Sequence, residues 1–112
     1  MAIEKRYDFV LYFEVENGNP NGDPDAGNMP RIDPQTAYGI VTDVCIKRKV
    51  RNYVQAAYGD ENGYDIFITE GAILNAKMEQ TYKDFGIEPK AKDARDVARD
   101  YMCKRFFDVR TF

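Results

Sequence analysis

Arg6 to Glu16, RYDFVLYFEVE, alternates with a period of two: Tyr7, Phe9, Leu11, Phe13 and Val15 share one face, while Asp8, Val10, Tyr12, Glu14 and Glu16 share the other. This predicts a strand over 6–16 with one buried face. Val10 and Tyr12 keep the second face from being uniformly polar, so two readings stand: packing under a helix, or stacking on a ligand such as a nucleic-acid base. The alternation stops at NGNPNGDPDAGN, residues 17–28, which holds three glycines and two prolines and is otherwise Asn or Asp except for Ala26. Such residues favour turns, left-handed backbone and local side-chain-to-backbone hydrogen bonds, so residues 17–34 are expected to form a loop and not a helix or central strand. Thr42 is a plausible N-cap and Asp43 suits a first turn, opening TDVCIKRKVRNYVQAAY, a basic helix over 42–58 that Gly59 ends. At helical spacing Ile46, Val50, Tyr53, Val54 and Ala57 make the expected packing stripe. Lys47, Arg48 and Arg51 occupy the adjoining arc, and Lys49 points to solvent.

Asp60 to Gly63 reads as a turn, and YDIFIT as a short strand with Ile66 and Ile68 on one face and Phe67 on the other. Residues 72–107 read as a helical insertion. Its first helix repeats Leu74, Met78, Thr81, Tyr82 and Phe85 at helical spacing and stops at Gly86; its second is capped by Asp93 and packs Ala94, Val97, Ala98, Tyr101 and Met102, with Arg95, Asp96, Arg99 and Asp100 toward water. The final FFDVRTF returns to strand character. Two strands and three helices leave that last segment short of a strand partner, so the unit is expected to be truncated or completed by another chain. There is no internal repeat or low-complexity tract.

Composition narrows the chemistry. The chain has 112 residues, a net charge of -3, 44% hydrophobic residues, and neither His nor Trp, which suits one small unit with a modest core. No apolar run approaches the roughly 20 residues that span a bilayer, and MAIEKRYDFV lacks the apolar core of a secretory signal, so a cytoplasmic protein with no membrane contact is expected. Cys45 and Cys103 have no metal-ligand spacing and no histidine to complete a zinc site; they are expected to be reduced structural thiols. Without His there is no His-based triad, and acid–base work falls to carboxylates, Lys or Tyr.

Asn17, Asn19, Asn21 and Gly22 echo the spacing of a calcium loop, but position one is uncharged and position twelve is Asn28 where a bidentate Glu belongs, which excludes that site. Asp23 and Asp25 have two readings: turn-forming residues, or ligands and a general base in divalent-cation chemistry. Peptide N–H groups beside the glycines also suit an anion such as phosphate, with Arg31 supplying charge. The cations within 47–51 locally invert the sign of an acidic chain. They are either a solvated face or a phosphate contact.

The run FEVENGNPNGDPDAGNMPRID, followed by GIVTDVCIKRKVRNYV and later by MCKRFFDVRTF, resembles the N-terminal part of the backbone subunit of the type I-C CRISPR Cascade complex, in the Cas-seven family of the RRM-like superfamily. The likeness covers nearly the whole chain, which corresponds to roughly the first two-fifths of the longer family members. The resemblance implies an α+β fold: a partial RRM-like (ferredoxin-like) palm with an inserted helical finger element. It implies a role in antiviral defence as a non-catalytic subunit without cofactor or metal, whose copies stack along CRISPR RNA (crRNA) beside other Cascade subunits. The guide pairs with target DNA, so the protein needs contacts to backbone and shape, not to base edges. On this sequence the implied RNA-binding residues are Lys47, Arg48 and Arg51 for phosphates, Thr42 with the helix N-terminus, Asn19, Asn21 and Gly22 for close backbone approach, and Arg31. Two other functions compete: a metal-dependent ribonuclease using Asp23 or Asp25, and an assembly module whose basic helix meets an acidic protein surface.

Overall fold

The computed structural model describes residues 5–112; residues 1–4, where the stretch read for a secretory signal begins, lie outside the described residues. The chain divides into two compact units, Met1–Thr42 and Asp43–Phe112.

In the first unit the alternating segment 6–16 is not a strand. Its pattern is intact, but extended backbone becomes a ladder only where a second strand exchanges hydrogen bonds with it, and none among the described residues does. Phe9 and Tyr12 are accordingly 86% and 89% exposed. Order begins in the loop. Strand β1 (Gly22–Asp23) pairs antiparallel with β2 (Met29–Pro30), in the register Gly22 to Pro30 and Asp23 to Met29. A 3-10 turn over Pro24–Ala26 joins them; the Asp23 carboxylate caps it by accepting from the Asp25 N–H at 3.0 Å, and Gly27 closes it in left-handed backbone at φ 63°. A side chain at position 22 would collide with the Asn28 side-chain amide, which would have to swing away to admit it. A second turn follows, in which Asp33 accepts from the Gln35 N–H and the Thr36 hydroxyl, and Ile32 bridges Gly39. The predicted loop is thus a pair of tight turns.

The second unit holds α1 (Asp43–Tyr58), α2 (Leu74–Asp84), α3 (Ala94–Arg105) and α4 (Phe107–Thr111). Helix α2 ends as its glycine foretold: Gly86, at φ 62°, lets its own N–H reach the Lys83 carbonyl and the Ile87 N–H reach that of Tyr82. Thr81, Ala94, Ala98 and Phe106 are buried where the helices meet, and Phe85 stacks on Tyr101 with ring centroids 3.8 Å apart.

Two predicted strands of this unit have other forms. YDIFIT makes one parallel bridge, Asp65 to Phe106, and is otherwise unladdered. Side chains replace the missing neighbour: the Asp108 carboxylate accepts from the N–H groups of Phe67 (2.7 Å) and Ile68 (3.0 Å), while the Lys77 ammonium donates to the carbonyls of Ile66 and Phe67, both at 2.9 Å. The buried polar groups of an extended segment must be paired, and charged side chains from α2 and α4 do it here. FFDVRTF is not a strand either. After the Phe107 N–H donates to the Asp65 carbonyl the chain turns into α4, which sets Asp108 against that segment. Tertiary hydrogen bonding overrides the strand propensity of the aromatic run.

Candidate nucleic-acid interface

The cations of α1 do not lie as their spacing predicts. Ile46, Tyr53 and Ala57, expected to pack, are exposed, and Val54 is the buried residue of the helix. The helix is rolled so that its basic arc faces inward. Arg51 donates from Nε to Asp108 Oδ2 at 2.8 Å, with side chains 13% and 1% exposed, and Arg48 donates to the Ile68 carbonyl at 2.8 Å. An unladdered carbonyl and a buried carboxylate need donors more than the helix needs an apolar stripe. Arg51 is therefore turned onto the fold and not out toward a phosphate. Lys47 remains half-exposed, paired with Asp43 one helical turn earlier at 3.0 Å. Lys49 is exposed, as expected.

In the first unit the residues implied for RNA contact hold the loop together. Asn21 Oδ1 accepts from both the N–H (2.9 Å) and the hydroxyl (3.0 Å) of Thr42, and its amide donates to the Gly22 carbonyl. Asn19 donates to the Asn28 carbonyl at 2.8 Å, and the Arg31 N–H donates to that of Asn21 at 3.0 Å. The Arg31 guanidinium lies 3.9 Å from the Asp23 carboxylate, and its buried Nε has no hydrogen-bond partner. With Phe13, Val15, Asn21 and Val41 it lines a cavity of about 230 Å³. Asn19, Asn21, Gly22, Arg31 and Thr42 thus converge on one corner.

The carboxylates divide by environment. Asp23 is engaged by the Asp25 N–H and by Arg31, and among the described residues no group of three or more His, Cys, Asp or Glu side chains is placed to hold a metal ion. Burial pushes the Asp108 carboxyl up, but the Phe67 and Ile68 N–H groups and the hydrogen bond and charge of Arg51 outweigh it and hold the group below the usual carboxylate range. The Gln35 N–H lowers Asp33, and the hydrogen bond and charge of Lys47 lower Asp43.

Sequence reasoning missed Asp108 and Lys77. A single acid inside the aromatic FFDVRTF was the available signal, since an isolated carboxylate among rings needs donors from elsewhere.

Residues 5–112 match the family model for CRISPR-associated protein Cas7. The chain is also 38% identical over 112 residues to a CRISPR-associated protein Cas7 of Haloferax volcanii, an alignment covering 99% of this chain and 31% of that protein, so the chain spans about a third of its relative's length. No helix among the described residues is long and apolar enough to cross a membrane. With a match from residue 5 to residue 112 and this identity, the chain belongs to the CRISPR-associated protein Cas7 family.

Proposed function

We propose that this chain is a portion of a non-catalytic backbone subunit of a type I-C Cascade complex, which binds crRNA, stacks with copies of itself and other subunits, and presents the guide to invading DNA in the cytoplasm. The observation that carries this is the family match along nearly the whole chain. An RRM-like palm belongs to the same reading: segment 6–16 keeps its period-two pattern with its aromatic face uncovered, the condition of a strand awaiting its sheet. The phosphate-facing cations in this reading are Arg31 and Lys47, which are partly open to solvent, whereas Arg48 and Arg51 are turned onto the fold. A non-catalytic role is supported by Asp23, whose carboxylate serves the loop's own turn.

The test is whether the purified full-length protein carries nucleic acid. An absorbance ratio raised toward that of nucleic acid and abolished by ribonuclease is expected. Protein free of RNA that also fails to bind added guide RNA would end the proposal.

A further inference from the structure

The second unit carries a continuous row of rings. Tyr53 meets Tyr58 edge-on at 6.4 Å, Tyr58 stacks on Tyr64 at 5.3 Å, Tyr64 on Phe107 at 6.2 Å, and Phe107 meets Phe112 edge-on at 6.3 Å. The Arg110 guanidinium lies over two of these rings, 5.3 Å from Tyr64 and 5.6 Å from Phe107. All these separations fall within the range of favourable ring–ring and cation–π contact.

We infer that this row is a stacking platform for the bases of single-stranded RNA, with Tyr53 and Tyr58 receiving a base and Arg110 a phosphate. The inference rests on the RNA-binding reading above and adds to it a site that none of the implied RNA contacts includes. Exposure argues for it: Tyr53 is 64% exposed and Tyr58 40%, so this end of the row offers open ring to solvent. Charge argues for it as well. Arg110 is exposed and enters no ion pair among the described residues; the rings fix its plane and leave its fork of donors for an anion. Aromatic faces attract every base alike, so such a row adds affinity without reading sequence, which suits a protein that leaves recognition to pairing. A duplex would not fit the same surface, because its bases already stack on one another. An acidic peptide would satisfy Arg110 but would gain little from the exposed rings.

The experiment measures binding of a labelled mixed-sequence single-stranded RNA to the full-length protein. The double substitution Tyr53→Leu with Tyr58→Leu is expected to weaken binding about ten-fold or more. Tyr53→Phe with Tyr58→Phe is expected to bind as the wild type does, because the faces remain. Neither pair removes charge, so the salt dependence stays unchanged, whereas Arg110→Gln makes it shallower by about 0.7 in the log–log slope. Should the Leu pair unfold the protein, photocrosslinking of 5-iodouridine RNA to the wild type decides: adducts on Tyr53 or Tyr58 support the platform, and adducts confined to other residues overturn it. Wild-type RNA binding left within about two-fold by a folded Leu pair overturns the platform while leaving the RNA-binding reading intact. A wild type that binds no RNA overturns both, and binding of polyglutamate with the same tyrosine dependence reassigns the row to an acidic protein.

Discussion

Arg51 Nε stands 2.8 Å from Asp108 Oδ2, although the two residues are 57 positions apart, and the pair is closed to solvent on both sides. Asp108 simultaneously accepts two backbone N–H groups, so one carboxylate joins α1, the extended segment 65–69 and α4. Removing it strands a buried guanidinium and two peptide donors. Asp108→Ala is expected to destabilise the protein by about 3–5 kcal/mol, read from chemical denaturation. A loss under about 1 kcal/mol would mean that water already satisfies these groups.

The same carboxyl sets an acid limit. Its folded pKa lies below the unfolded value of about 3.9, so its contribution to stability is complete above that value and disappears as pH falls through the folded pKa. Stability should therefore decline as the pH drops below about 4. In Asp108→Asn the decline should be smaller, with Asp33 and Asp43, both also lowered, supplying what remains. Denaturation midpoints measured across this range for both proteins check it.

Lys77 donates to two carbonyls and to the Thr69 hydroxyl, all within 3.0 Å. Lys77→Met keeps the aliphatic stem and removes the donors. It should cost about 1–3 kcal/mol, with faster amide exchange concentrated in residues 65–69.

Asn21 holds Thr42 through one oxygen that accepts two hydrogen bonds. Asn21→Ala should raise the exchange rate of the Thr42 amide by the equivalent of about 1–2 kcal/mol. An unchanged rate would show that the Asn21 oxygen does not protect it.

Helices α1, α2 and α3 were legible because their signals are local: Asp43 in a first turn, the apolar repeat from Leu74 to Phe85, and Gly86 after it need no distant partner, whereas α4 was hidden under the strand propensity of its aromatic run. The strands were not, because alternation specifies which face a strand would bury and says nothing of whether a neighbour exists; residues 6–16 and 64–69 have the pattern without the ladder. Helical spacing also misjudged α1. It ranks faces by apolarity, whereas the inward face of α1 was chosen by the carboxylate of Asp108 and the carbonyl of Ile68, which no local window contains. At the candidate site, the glycine and asparagine corner was legible as tight backbone, but its hydrogen bonds turn inward to Thr42 and Asn28.

Whether the subunit grips a sugar-phosphate chain through cations open to solvent is decided by the affinity of the full-length protein for guide RNA as a function of salt. Log affinity should fall linearly with log salt, and Arg31→Gln with Lys47→Gln together should make that line shallower by about 1.4, at about 0.7 per lost phosphate contact on a single strand. A line that the double substitution leaves as steep as before, or an affinity indifferent to salt, would contradict it.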